Sequence, residues 1–315
     1  MFRMVSDKRG SKLLAWLKIA RLQFYPMTWI AYTVGAAAWA AASGEWRLTS
    51  YLLGYLVLFL IELCTILTNE YFDYPSDRQN NNFSIFTGGT RVLVNGDLSF
   101  SQVRNAILVI LAVITILSYS LVKISAGGSH GVVAVLILIG LFFGLGYTVP
   151  PLKLSYRGAG ELVVGLTHSI YVILCGYVFQ GGHWKDPLPW FISVPLFFAV
   201  LGGNTLAGIP DRQADNAVMK KSIAVMYGSQ VATMLAIWSV CMAFLSALFL
   251  WYFQIIHLSL FYWFLLALPN GLVLIIFLFR LLWSNAFDRR IDRVMALALC
   301  YIIWFGLLPL ISFWR

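Results

Sequence analysis

Residues 50–77 read SYLLGYLVLFLIELCTILTNEYFDYPSD. Up to Thr68 the stretch is apolar apart from one acid, Glu62. Its end, Asn69-Glu70-Tyr71-Phe72-Asp73-Tyr74-Pro75-Ser76-Asp77, carries three more. About 20 continuous apolar residues are what a helix needs to cross a bilayer. The reading is therefore a membrane span that delivers carboxylates to one membrane face. The pattern recurs at about 188–208, an apolar run followed by Asp211-Arg212-Gln213-Ala214-Asp215.

The rest of the chain agrees. Of 315 residues, 60% are hydrophobic and 11% charged, and the mean hydropathy is +0.81. A soluble domain carries roughly 25% charged residues. A single water-soluble globule is excluded, and so is disorder, which needs low hydrophobicity and high charge. Nine apolar runs predict nine transmembrane helices: about 22–43, 50–72, 104–124, 131–149, 160–180, 188–208, 229–252, 259–283 and 294–313. They are continuously apolar rather than alternating, so they read as helices and not barrel strands. The expected fold is an all-α polytopic bundle, one domain over 1–315, with a basic N-terminal segment at 1–21. No small-x-small cleavage pattern separates that segment from the first run, which is kept as a true span.

Lys and Arg set the orientation. With the N-terminus in the cytoplasm, Arg3, Lys8, Arg9, Lys12, Lys18, Arg21, Arg78, Arg91, Arg104, Lys153, Arg157, Arg212, Lys220, Lys221, Arg280, Arg289, Arg290 and Arg293 fall on the cytoplasmic side. Arg47, Lys123, Lys185 and Arg315 fall on the other. The positive-inside rule then predicts N-in and C-out. The net charge of +9 is this topological signal plus attraction to anionic lipid. No separate basic domain points to nucleic acid, and no obligate protein partner is evident. Cys64, Cys175, Cys241 and Cys300 lie in spans without metal-ligand spacing and read as apolar filler.

With only 13 acids in the chain, their placement is informative. Asn69, Asp73 and Asp77 are spaced i, i+4, i+8. Four residues turn a helix by about 400°, so the three share a face within about 80°. Pro75 predicts a break before Asp77. Pro210, directly before Asp211, predicts that a new helix starts there. Asp211 and Asp215 repeat the i, i+4 spacing. Carboxylates clustered this way repel unless cations intervene. Oxygen ligands without His or Cys suit Mg²⁺, which fills its shell with water and substrate phosphates. The expectation is two acidic arms, Asp73 and Asp77 with Asp211 and Asp215, gripping a diphosphate through Mg²⁺. Arg78, Arg91, Lys153, Arg212, Lys220 and Lys221 form an anion funnel in the same loops. Arg91 is favoured because the backbone N–H groups at Gly88-Gly89 could assist it.

Several polar residues lie deeper. Glu62 and Asn204 each sit seven residues before a motif, on nearly the same helix face and about 10 Å inward. For Glu62 a substrate-facing role and a structural hydrogen bond both stand; Asn204 reads the same way. An intramembrane acid generally faces a cavity or a partner. His168, mid-span, reads as a packed histidine or as a proton or acceptor contact. Glu161 starts the fifth span, where it favours the helix N-terminus. Tyr71, Tyr74 and Tyr147 flank the acidic motifs.

Asn69–Asp77, Asp211–Asp215 and the stretch Tyr147-Thr148-Val149-Pro150-Pro151-Leu152-Lys153 resemble the UbiA-type intramembrane prenyltransferases over nearly the whole chain. Phe86-Thr87-Gly88-Gly89-Thr90-Arg91-Val92-Leu93-Val94-Asn95-Gly96, with Leu98-Ser99 and Gly158-Ala159-Gly160-Glu161, looks most like the branch that prenylates 1,4-dihydroxy-2-naphthoate for menaquinone. The resemblance implies a helical bundle around a central cavity capped by cytoplasmic loops. It implies Mg²⁺-dependent transfer of an isoprenoid from an allylic diphosphate to an aromatic acceptor. It makes Asn69, Asp73, Asp77, Asp211 and Asp215 metal-diphosphate residues, with Arg91, Lys153 and Lys220 as diphosphate contacts. Other acceptors, such as 4-hydroxybenzoate, homogentisate-like rings or a glyceryl lipid, stay open. A terpene cyclase would share the ionisation step. A secondary transporter would place its charges at the bilayer midplane on broken, repeated helices.

Overall fold

The computed structural model describes residues 8–125, 129–256, 259–284, 287 and 291–313. Arg3, Arg289, Arg290 and Arg315, used above for orientation, lie outside them. The main helices of the described residues are α1 Lys8–Ile19, α2 Tyr25–Ser43, α3 Leu48–Phe72, the short α4 Tyr74–Gln79, α5 Phe100–Ile124, α6 His130–Gly146, α7 Gly160–Phe179, α8 Pro187–Ala217, α9 Ile223–Tyr252, α10 Leu268–Ser284 and α11 Asp292–Phe313. The described residues contain no strand. The fold is all-α.

Among the described residues, seven helices are long and apolar enough to cross a membrane: α3, α5, α7, α8, α9, α10 with the turn before it, and α11. The other two expected spans fall on α6, with 17 residues, and on α2, which is rich in alanine. Composition alone therefore supports seven spans and a shorter apolar helix rather than the nine read from the sequence. Helix ends follow local chemistry. Ser99 and Gln102 form a capping box at the start of α5, with reciprocal bonds of 3.2 and 2.9 Å. Gly44, left-handed, stops α2 and returns its N–H to Ala40 at 2.8 Å.

The two proline expectations resolve differently. α3 ends at Phe72, and Pro75 sits in the first turn of α4, where its missing N–H costs nothing. The break thus precedes the proline. The i→i+4 bonding still continues through it: Asp73 N–H donates to the Asn69 carbonyl at 2.8 Å and Asp77 N–H to that of Asp73 at 2.9 Å. At the other motif, Pro210 does not start a helix. α8 runs through both Pro195 and Pro210 as one 31-residue element. Asn82 Nδ2 donates to the Pro210 carbonyl at 3.4 Å, so the loop after α4 braces that point.

α8 is the central helix, with 67% of its apolar window buried inside the bundle, against 11% for the peripheral α5. It packs on α7, α9 and α11. α2 packs on α7 and α11, and α3 on α5 and α6. The α2–α7 seam is the tightest. A methyl on Gly35 would overlap the Ile173 carbonyl oxygen, and one on Gly176 would overlap that of Tyr32. Two glycines thus let the backbones touch, as small residues do between membrane helices. Tyr32 is fully buried beside them and donates its hydroxyl to the Tyr51 carbonyl at 3.1 Å. All four cysteines are free.

Gly35→Leu and Gly176→Leu are expected to destabilise the protein by about 1–3 kcal/mol through overpacking. Gly131→Ala, where an added methyl meets nothing, should stay within about 0.5 kcal/mol. Thermal unfolding of the three variants in detergent measures the difference; equal melting temperatures would contradict the seam.

Candidate active site

The two acidic motifs meet where α3–α4 and the end of α8 converge. Their link is a lysine. Lys220 Nζ lies 2.9 Å from Asp73 Oδ2 and 3.6 Å from Asp215 Oδ1. The chain brings it there by a tight return after α8. Met219 adopts a left-handed conformation (φ 60°), and Lys220 N–H donates to the Asp215 carbonyl at 2.9 Å. Burial disfavours the ammonium charge, but Asp73 and Asp215 outweigh it and raise the Lys220 pKa well above the ordinary lysine value.

The carboxylates have further contacts. Tyr156 donates to Asp73 Oδ1 at 2.8 Å and Ser76 to Asp215 Oδ1 at 2.9 Å. Asn80 donates to Asp211 Oδ1 at 2.7 Å, and Gly88 N–H to Asp211 Oδ2 at 3.2 Å. The Asp77 carboxylate lies against Gly89, whose left-handed backbone (φ 68°) leaves no room for a side chain beside it. Burial, reinforced by Glu70 and Asp73, pushes the Asp77 carboxyl up to about 8.

Glu70 belongs to the loop rather than the cluster. It accepts from Thr90 N–H at 2.9 Å and from the Thr90 hydroxyl at 2.7 Å, and it pairs with Arg21 at 3.2 Å. This ties the loop carrying Gly88-Gly89 to the end of α3 and to the segment after α1. Glu161 is likewise structural. Its Oε1 accepts from Ile223 N–H at 2.7 Å, at the first residue of α9, so it serves a neighbouring helix start as well as its own.

The expected cations divide. Arg91, also left-handed (φ 66°), donates to the Asp77 carbonyl and lies 4.7 Å from the Phe83 ring centre. Lys153 sits over the Tyr156 ring at 3.8 Å, beside the cluster. Arg212 is exposed on the outer side of α8. The residues sequence reading missed are Arg21, Ser76, Asn80 and Tyr156. Asn80 and Tyr156 each lie three residues beyond a residue already singled out, and no spacing rule marks them.

Beneath the cluster lies a cavity of about 280 Å³, lined from α2, α3, α6, α7, α8 and α11. Arg21, Asn69, Phe86 and Tyr147 line its motif end, and Glu62, His168 and Asn204 its depth. The walls between are apolar.

A divalent cation fits this donor set in kind. All the candidate ligands are oxygens, and Asn69 Oδ1, which faces the cavity, is buried without a hydrogen-bond partner. Among the described residues no three Asp, Glu, His or Cys side chains converge on one point. That suits an ion held by one or two carboxylates and completed by water or phosphate oxygens.

A model of the UbiA prenyltransferase family matches residues 28–299. The chain is 27% identical over 221 residues to a 4-hydroxybenzoate octaprenyltransferase from Marinomonas sp., covering 70% of this chain. It is 24% identical over 228 residues to a 2-carboxy-1,4-naphthoquinone phytyltransferase from Synechocystis sp., again over 70% of this chain. The matches span 66% of the first relative, just under two thirds of its length, and 69% of the second. In structure, a UbiA homologue from Archaeoglobus fulgidus bound to GPP and Mg²⁺ shares the fold. Its TM-score is 0.60 at 13% identity, over 96% of this chain and all of that one.

Lys220→Met is expected to lower stability by about 3–5 kcal/mol, since it leaves two buried carboxylates without their cation. Millimolar Mg²⁺ should raise the melting temperature of the variant more than that of the wild type. An equal rise in both would separate the cation site from Lys220.

Proposed function

The chain belongs to the UbiA prenyltransferase family, and from that premise we propose that it transfers an isoprenoid chain from an allylic prenyl diphosphate to an aromatic acceptor. The observation that carries the proposal is the junction itself. Carboxylates from two helices, Asp73 and Asp215, share one ammonium group at the mouth of an apolar cavity. We take the acceptor to be 1,4-dihydroxy-2-naphthoate, on the loop motif Phe86–Gly96, with the naphthoquinone-branch relative in support. The 4-hydroxybenzoate relative keeps a smaller ring as the second reading.

Asn69, Asp73, Asp77, Asp211 and Asp215 would hold Mg²⁺, which when bound neutralises the diphosphate and eases its departure. Lys220, Arg21 and Lys153 stand around the same mouth and add positive charge where the leaving group gains negative charge. Arg91 anchors the loop over the Asp77 end. The C–O bond breaks with its electron pair leaving on the diphosphate, and the allylic cation remains between aromatic walls that include Phe24, Phe86, Phe143 and Tyr147. The ring carbon attacks, and a proton or CO₂ leaves. Asn204, deeper in the cavity, faces the acceptor. Arg212, being exposed, keeps at most an outer part in guiding the anion. We take the cluster to lie on the cytoplasmic face, with the distribution of Lys and Arg over nine spans in support, and the whole chain to act as one membrane-embedded domain.

Asp73→Asn and Asp211→Asn are each expected to reduce transfer by at least about 10²-fold, the scale of a lost electrostatic stabiliser. Purified protein with Mg²⁺ and geranylgeranyl diphosphate, incubated with each acceptor and with none, gives products that mass spectrometry identifies. Near-normal transfer in both variants would sink the metal-diphosphate reading. A cyclised hydrocarbon formed without acceptor would replace the transferase with a cyclase, and untouched diphosphate in every condition would return the chain to transport.

A further inference from the structure

Two turns of α3 below Asn69, the cavity holds a second polar pair that ionisation of a diphosphate does not use. Glu62 Oε1 on α3 faces His168 Nε2 on α7 at 3.9 Å. The Glu62 side chain is 10% exposed, and its Oε2 has no hydrogen-bond partner. His168 lies in a π turn, Thr167–Tyr171, that interrupts α7. Such bulges re-aim side chains and often occur at functional sites.

The hydrogen bonds fix the tautomer of the ring. His168 Nδ1 lies 3.2 Å from the Val164 carbonyl and 3.1 Å from Thr167 Oγ1. The carbonyl can only accept. Thr167 already donates its hydroxyl hydrogen to the Val163 carbonyl at 2.8 Å, so its oxygen also accepts at Nδ1. Nδ1 therefore carries the hydrogen, and the neutral ring presents the Nε2 lone pair to the cavity. Two acceptors, Nε2 and Oε1, then face each other too far apart to bond directly. One oxygen fits about 2.8 Å from both. A hydroxyl fits this gap with its one hydrogen turned to either acceptor, as does a water with one hydrogen to each, and the Thr28 hydroxyl also stands beside Glu62. Tyr25 and Tyr55 are the other ionisable neighbours of Glu62, and phenols ordinarily keep their proton at neutral pH.

We propose that Glu62 and His168 bind a ring hydroxyl of the aromatic acceptor and take its proton as the ring attacks. This rests on the prenyl-transfer reading above and adds a catalytic base to it. The O–H bond gives its proton to the pair, and its electrons enter the ring. The ring carbon bonds to the allylic cation left when the diphosphate departed with the C–O electron pair. The new sp³ carbon then loses its proton and the ring oxygen is reprotonated. If that carbon bears a carboxylate, CO₂ leaves instead and the pair returns its proton to the ring oxygen. A ring without a free hydroxyl is not a substrate.

The test uses the full chain in detergent with Mg²⁺ and geranylgeranyl diphosphate. Acceptors are 1,4-dihydroxy-2-naphthoate, 4-hydroxybenzoate and the 1,4-dimethoxy analogue of the naphthoate. Glu62→Gln and His168→Gln keep size and polarity, and thermal unfolding confirms that each folds. With the hydroxylated acceptors each variant is expected to lose about 10²-fold or more in kcat, the usual scale for general base catalysis. The KM for geranylgeranyl diphosphate should move less than threefold, and the wild type should leave the dimethoxy compound unprenylated. Three results would overturn the role: variants within threefold of wild-type kcat, a parallel collapse of diphosphate binding, or efficient prenylation of the dimethoxy ring. A wild type that ionises the diphosphate yet prenylates none of the aromatic acceptors would overturn the transferase reading and the base with it. That outcome is visible before any variant is made.

Discussion

Lys220 stands between two helices that would otherwise repel. Asp73 closes α3 and Asp215 lies near the end of α8. In a bundle this apolar, two buried carboxylates facing each other without a cation would cost several kcal/mol each. The ammonium group between them turns that repulsion into a tie. The polar mouth depends on it. Tyr156 and Ser76 donate to the two carboxylates that the lysine joins, and Asn80 and Gly88 hold Asp211 beside them.

The same economy shapes the loop above the mouth. A glycine pair usually suggests backbone N–H groups left open for an anion. Here Gly88 N–H is engaged by Asp211, and Gly89 is bare because Asp77 lies against it. The glycines serve the acidic motifs directly, and Glu70 anchors the loop through Thr90. Thus one acid of the first motif region builds the cover while its neighbours face inward.

Much of this was legible in the sequence, for physical reasons. Uninterrupted apolar runs specify helices in lipid, so α3, α5 and α7–α11 fell close to their expected places. α2 was harder to weigh, because alanine and glycine make a helix close-packed rather than strongly apolar. The i, i+4 spacing located both motifs, since backbone hydrogen bonding carries that geometry even through the α3–α4 junction. Pro210 misled, because a proline reads locally as a start, whereas α8 continues past it with Asn82 bonded to its carbonyl. Ser76, Asn80, Tyr156 and Arg21 were invisible. Their partners lie far along the chain (131 residues away for Asn80 and 83 for Tyr156), and only the folded bundle pairs them.

The glycine seam has a mechanical consequence. Where side chains separate two helices, the helices can slide by changing rotamers. Between α2 and α7 the carbonyls of Tyr32 and Ile173 rest on bare Cα atoms, so nothing there can repack. α2 and α7 must move as a single plate, and His168 rides on that plate opposite Glu62 of α3. Any breathing that widens the gap between those two side chains is a displacement of α3 and its neighbours α5 and α6. The seam thus fixes the His168 side of that gap, and the spacing to Glu62 is set by how α3 packs on the α2–α7 pair.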